Sequence, residues 1–425
     1  MWLTSRGRPP PQRTQAYLSR RFAARRARDH QWFFQKTVAQ RSRHHMRRPS
    51  GSGSPHHEHA PAAGLASAQR VTSSALFVMV VILLDLRGVR PCSMCSIFSD
   101  RSDTAHTARP DTKTIVCYHR GMKRAIVAGL LGVLFAVAAF AVATAFAPFQ
   151  THMALRRLAL RLGGVQRVTA GPLLAYERNS CRPGAACRCV ALVHGMGDSA
   201  MTWDKTMLGA GGASAPPEGT LILAVDMPGT DGSAPAADYG IRAQARVLRG
   251  ALEPRCAEWT VAGNSLGGWI SGWLAVDWPQ GVRRLVLVNA AGLSDPSAHA
   301  LAAAKVLADP TVPAMKIFNA KAYGKPRPVP ERAWAAAVAS IRARPTRAIL
   351  EALKLEDVLD ARLKDVKAGT VILWGSADGI LPAEFAERFR KGVRGSRVEL
   401  VPGCGHLPQQ ECPESVSRAL FGAGS

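Results

Sequence analysis

Apolar and polar positions follow two rhythms along this chain. From about Arg167 onward, short runs of Val, Leu and Ile recur between helix-length segments. Val190–Val193, Leu221–Val225, Trp259–Ala262, Leu285–Val288, Val371–Leu373 and Val398–Val401 read as strands. Apolar, β-branched runs of that length suit a sheet buried on both faces. Ile241–Leu252, Leu266–Asp277 and Ala383–Lys391 are long enough to be the helices between them. Strand, helix, strand in repetition predicts an α/β fold: a mostly parallel sheet covered by helices, with functional loops at the carboxyl ends of its strands. Pro296–Lys364 breaks the rhythm. It has helical periodicity over Ala298–Leu307, Glu331–Arg342 and Arg347–Leu359, proline joints at Pro326, Pro328 and Pro330, and no strand. An insertion of that size between two sheet strands, at about 296–364, is expected to form a helical cap over the site.

The second rhythm is one continuous apolar run. Met122 is followed by Lys123-Arg124 and then by Ala125–Ala147, which are uncharged and mostly apolar. A start residue, two positive charges and a long apolar stretch begin an export signal or a signal-anchor, and this one is long enough to span hydrocarbon. Small residues at Ala143, Ala145 and Ala147 resemble a cleavage site, but Pro148 follows directly and the run exceeds a usual signal core. Retention as an anchor over 122–149 is therefore expected, with the domain either tethered or exported. Met153–Leu162, with Arg156, Arg157 and Arg161, is expected to form a short basic amphipathic helix at the membrane surface.

Charge changes the reading of what precedes. Residues 1–121 hold 20 of the 55 Lys and Arg but 6 of the 30 Asp and Glu, so much of the net +25 sits outside the folded domain expected over 150–425. Arg pairs, a Pro/Gly/Ser stretch from Arg48 to Pro55 and scarce periodicity mark 1–121 as a disordered basic segment. Our hypothesis for it is an upstream extension of a protein that natively starts at Met122. No aromatic–basic recognition module accompanies the charge, so no nucleic acid is expected as partner. His56, His57 and His59, and the Cys92/Cys95 pair, lack a second ligand pair at zinc spacing, and no metal is expected. The apolar run Ala75–Leu84 is too short to cross a bilayer.

Candidate chemistry sits at the strand ends. Gly263-Asn264-Ser265-Leu266-Gly267 lies directly after one expected strand and before a helical run. A strained strand-to-helix turn exposes a serine hydroxyl as nucleophile, and the glycines avoid clashes with the packed strand and helix. A serine needs a base in contact, and the base needs a carboxylate to fix its tautomer. Asp378 follows the strand Val371–Leu373, and His406 follows Val398–Val401; of the histidines after Met122 (His152, His194, His299, His406), His406 alone follows a late strand. Asp295 is the fallback acid. The backbone N–H of Leu266, at a helix N-terminus, and that of Met196, in the His194-Gly195-Met196-Gly197 turn, are the expected oxyanion donors. His194 and Asp226 are read as structural.

These motifs, HGMG, VDMPG, GNSLGGW, LVNAAGL, WGSAD and GCGH, resemble those of the α/β-hydrolase superfamily over about 167–420. Within it, GNSLGGWISG with LVNAAGL is similar to both the meta-cleavage product C–C hydrolases and the membrane-anchored monoacylglycerol lipases. The latter fit the layout better. That resemblance implies hydrolysis of acylglycerols and related small-molecule or lipid esters, with Ser265, Asp378 and His406 in the triad positions and no cofactor. A C–C hydrolase would use the same triad; a silent membrane-tethered binding protein is the alternative outside enzymes; epoxide or dehalogenase chemistry needs a carboxylate where Ser265 stands. The departures are cysteines. Cys181, Cys187, Cys189, Cys256, Cys404 and Cys412 could be free thiols packed as small apolar residues, or disulfides of an exported domain. A bridge from Cys404 to Cys412 would staple the His406 loop.

Overall fold

The computed structural model describes residues 112–295, 298–325 and 328–422. The first described element, α1 (Thr112–Phe146), contains Ile126–Phe146, which is long and apolar enough to cross a membrane and has no buried residue. At 1.5 Å per residue this part measures about 31 Å, close to the hydrocarbon thickness of a bilayer. The helix starts ahead of Met122, so residues 112–121 continue it, although the sequence places them in a disordered segment. No proline stands in the way, and a nucleated helix gains one hydrogen bond for each residue added. The Arg pairs, His56, His57, His59, Cys92, Cys95 and the run Ala75–Leu84 lie outside the described residues. Ala147 leaves helical geometry, and Pro148, which has no N–H to satisfy, opens α2 (Pro148–Leu162).

The hydrolase-like part then alternates as expected. In chain order it comprises β1 (Gln166–Ala170), β2 (Leu173–Asn179), β3 (Arg188–Val193), α3 (Asp204–Leu208), β4 (Thr220–Asp226), α4 (Ile241–Leu252), β5 (Trp259–Asn264), α5 (Leu266–Asp277) and β6 (Val282–Val288). The insertion follows as α6 (His299–Ala308), α7 (Val312–Ala322), α8 (Glu331–Arg342) and α9 (Thr346–Ala352). The chain returns through β7 (Gly369–Gly375), α10 (Glu384–Gly392), β8 (Arg397–Val401), α11 (Pro408–Glu411) and α12 (Pro413–Phe421). All eight strands form one sheet in the order β1-β2-β4-β3-β5-β6-β7-β8. β1–β2 and β2–β4 pair antiparallel, and every later pair is parallel.

Period-two alternation divides the sheet's side chains between two cores. Val193, Val225, Val261, Leu287 and Trp374 face one side, with Leu248 of α4, Ile270 of α5 and Phe389 of α10. Leu192, Ala224, Ala262, Val288 and Leu373 face the other, with Leu160 of α2, Met207 of α3 and Val416 of α12. The insertion has its own small core of Leu307, Met315, Trp334 and Val338, against which Met196 packs. Three disulfides close in the domain, Cys181–Cys187, Cys189–Cys256 and Cys404–Cys412, so the free-thiol alternative does not hold for these six.

Candidate active site

β5 delivers Ser265 into a turn that leaves no room for a Cβ two residues to either side of it. Ser265 has φ 53° and ψ −119°, a left-handed conformation that costs a residue with a Cβ on the order of 1–3 kcal/mol. The turn is this tight because strand and helix nearly touch: a Cβ on Gly263 would stand 2.2 Å from the Gly267 carbonyl oxygen, and one on Gly267 2.4 Å from that of Val193. The Ser265 carbonyl in turn accepts from Gly268, Trp269 and Ala291 N–H groups, at 3.0, 3.2 and 3.0 Å. Strain at the serine is thereby held by backbone bonds around it.

β8 ends in the Cys404–His406 loop and β7 in the Ser376–Asp378 loop, and these two strands are neighbours. His406 Nδ1 stands 2.7 Å from Asp378 Oδ2, and both side chains are buried. The Asp378 carboxylate is fully occupied. Its Oδ1 accepts from the Ile380 and Leu381 N–H groups at 2.8 and 3.0 Å, and its Oδ2 accepts from Asn289 Nδ2 at 2.6 Å as well as facing His406. With four partners the carboxylate has one orientation, which fixes the proton of His406 on Nδ1 and leaves Nε2 as a base. The loop carrying His406 is tied on both sides. His406 N–H donates to the Ala322 carbonyl at 2.7 Å, Glu411 accepts from Gly405 and Gly324 N–H groups, and the Cys404–Cys412 bridge spans the histidine.

Ser265 is brought to this pair by its neighbour. Asn264 Nδ2 donates to the His406 carbonyl at 3.0 Å and to that of Val288 at 3.1 Å, linking β5 to the histidine loop and to β6. Among the described residues the Ser265 hydroxyl makes no hydrogen bond, so Asp378 and His406 are joined directly and Ser265 through Asn264. Such contacts often close only around substrate. Asp295, the fallback acid, instead accepts from Ala300 N–H at 2.8 Å and caps the start of α6.

The two expected oxyanion donors stand on either side of the serine. A Cβ on Gly195 would come 3.2 Å from Ser265 Cβ, so the turn after β3 packs directly on Ser265. Among the described residues neither the Met196 nor the Leu266 N–H has an acceptor, and both residues line a small cavity together with Gly195 and Gly197. Ser265 and His406 are not in its wall, which places it on the oxyanion side of the site. His194 accepts the Met227 N–H on Nε2 at 3.0 Å and so donates from Nδ1 to the Gly195 carbonyl at 2.8 Å. Burial holds its pKa below the ordinary value, and a neutral ring that ties two turns together acts as structure. Asp226 accepts from Ala200 N–H at 2.7 Å and from Arg167 at 3.2 Å; burial pushes its carboxyl up to about 7.

Two residues of the site escape sequence reasoning. Asn289, fully buried at φ 44°, donates to Asp378 and accepts the Gly375 N–H at 3.1 Å. Its one sequence signal is a polar residue ending the apolar strand LVLV. Arg344, between α8 and α9 of the cap, reaches the same cavity, donates to the Gly197 carbonyl and pairs with Asp231 at 3.5 Å. Its Nε is buried without a partner. A lone arginine in a cap gives no signal that distinguishes it from surface charge.

A mostly parallel eight-stranded sheet with a strand–serine–helix turn and a histidine–aspartate pair at its carboxyl edge defines the α/β-hydrolase class. Residues 190–419 match the model of the alpha/beta hydrolase family, and the chain belongs to that family. An uncharacterized protein of Mycobacterium tuberculosis is 27% identical over 281 residues, covering 58% of this chain and 80% of that protein. A 2-hydroxy-6-oxononadienedioate/2-hydroxy-6-oxononatrienedioate hydrolase of Escherichia coli is 25% identical over 267 residues, covering 59% and 91%. Among solved structures, a membrane phospholipase A described as a bacterial virulence factor superposes with TM-score 0.55 at 23% identity, covering 68% of this chain and 95% of its own. A 2-hydroxy-6-oxo-6-phenylhexa-2,4-dienoate hydrolase from Rhodococcus gives 0.51 at 17% identity, covering 60% and 96%. The last two likenesses establish the fold.

Proposed function

We propose that this chain is a serine-dependent carboxylic ester hydrolase, an esterase or monoacylglycerol-type lipase that works through an acyl-enzyme. The observation that carries the reading is the buried His406–Asp378 pair at 2.7 Å, linked through Asn264 to the strained turn of Ser265. His406 Nε2 takes the Ser265 proton as Oγ attacks the ester carbonyl carbon. The N–H groups of Met196 and Leu266 hold the tetrahedral oxyanion, an arrangement in which each donor is worth about 10²–10³ in rate. His406 then gives its proton to the leaving alcohol. Water, deprotonated by the same nitrogen, releases the acid and restores the serine. The apolar cap core that touches Met196 and the membrane-length helix ahead of the domain favour lipid-like esters.

In this reading Ile126–Phe146 is retained as an anchor. Three disulfides suit an oxidising compartment, so in this reading the domain faces the exported side; the flanking charge is balanced, with Lys123-Arg124 ahead of the span and Arg156, Arg157 and Arg161 after it.

Arg344 supports a second reading. A buried guanidinium with an unpartnered N–H, in the cavity beside Met196 and Leu266, suits a carboxylate substrate such as the dioates named for the Escherichia coli relative. The test is hydrolysis of short- and long-chain p-nitrophenyl esters, monoacylglycerol and a 2-hydroxy-6-oxo-dienoate by the full chain, with Ser265→Ala alongside. Ester cleavage that disappears in the variant is the expected outcome. Diketone cleavage without ester cleavage selects the C–C hydrolase, and undiminished turnover by Ser265→Ala removes both.

A further inference from the structure

The span ends against α8 of the cap. Ile126–Phe146 matches the thickness of bilayer hydrocarbon, so its last turn lies at the headgroup boundary. In that last turn the Ala145 carbonyl accepts from Arg332 Nη1 at 3.0 Å, and Arg332 belongs to the first turn of the cap helix α8. α8 also packs on α2, the helix that leaves the span. The amino end of α8 is therefore held at headgroup depth by its own contacts, whatever the substrate.

The outer face of α2 matches that location. Arg157 and Arg161, one turn apart, are exposed and, among the described residues, form no ion pair, while Leu155 and Leu162 are 44% and 80% exposed on another side of the helix. Arg156, by contrast, turns inward to Asp204 at 2.6 Å and anchors the helix to the domain. A basic side made of uncommitted arginines, with exposed apolar side chains elsewhere on the same helix, suits a helix lying among anionic headgroups. The inner face of α8 carries Trp334 and Val338 into the cap core that touches Met196, so one helix reaches from the span to the oxyanion turn.

We propose that the cap is seated on an anionic phospholipid bilayer, with the outer face of α2 in the headgroups, so that ester substrates pass to Ser265 from the lipid phase along the cap. The delivery of esters rests on the proposed hydrolase activity; the seat does not. It is tested on the full chain in phosphatidylcholine vesicles containing phosphatidylglycerol, part of it tagged with a diazirine, with cross-linked peptides mapped by mass spectrometry. Cross-links within 148–162 and 331–335, in addition to the span, are expected. Cross-links confined to 126–147 overturn the seat. In the same vesicles, reversing two charges with Arg157→Glu and Arg161→Glu is expected to lower monoacylglycerol turnover by roughly tenfold or more. Turnover of water-soluble p-nitrophenyl acetate stays unchanged. Equal rates of wild type and variant on the vesicle-borne ester overturn delivery from the lipid phase. Absence of ester turnover by the wild type defeats the hydrolase reading, and the cross-link pattern then decides the seat alone.

Discussion

Asn289 donates to the same carboxylate oxygen that faces His406, at 2.6 Å against 2.7 Å, and so draws off part of the negative charge that would stabilise an imidazolium. Glycine tolerates its φ of 44°, so Asn289→Gly removes the amide without adding backbone strain. The carboxylate then loses one of the partners that fix its orientation towards His406. A lost hydrogen bond of about 1–3 kcal/mol corresponds to a fall in kcat/KM of roughly tenfold or more. An unchanged kcat/KM would show Asn289 to be filler. Asp226 gives a second expectation, in stability. Its carboxyl, at about 7 in the fold against an ordinary value of 3.8, binds its proton more tightly when folded. The stabilisation this gives is complete below pH 3.8 and is lost as pH rises towards 7, roughly 4 kcal/mol in all. Chemical denaturation across that range should show a slope in the wild type that Asp226→Asn flattens. An equal slope in both would assign the titration to another group. Ser265, Asp378 and His406 could be read from the sequence because each ends an apolar strand in a recognisable loop. Asn289 could not, since one asparagine after a strand is what any turn offers.

At the scale of elements, the parallel strands were legible because burial on both faces makes them uniformly apolar. β1 and β2 were not. QRVTA and LLAYERN mix polar and apolar residues because β1 lies at the sheet edge with most of its residues exposed. α7 was missed for a similar reason: Pro313 sits at its second residue, where it fits the first turn of a helix but breaks the pattern a reader follows. Cysteine pairing was beyond the sequence, although the bridge around the histidine loop was open as one of its outcomes. That bridge closes a loop with a sequence separation of 8, which in the chain-entropy view contributes about 2–3 kcal/mol. Replacing Cys404 and Cys412 together with Ser is expected to lower the denaturation midpoint accordingly. It should lower kcat more than it raises KM, because the bridge holds His406 and lies away from the cap cavity. Wild-type kcat in a destabilised variant would show that Glu411, bonded to Gly405 and Gly324, holds the loop by itself.

At the scale of the whole molecule, the sheet brings together loops that are far apart in the chain. The His194 turn, Ser265, Asp378 and His406 follow β3, β5, β7 and β8, and the insertion after β6 carries Arg344 to the cavity lined by Met196 and Leu266. The covalent intermediate at Ser265 is the claim on which every other step of the proposed chemistry depends. The most direct measurement is reaction of the full chain with a fluorophosphonate, followed by mass mapping of the modified peptide. The expected result is a single adduct on Ser265, formed slowly or not at all when His406 is replaced by Ala. An adduct on another residue, or an unmodified Ser265 in folded protein, would contradict it.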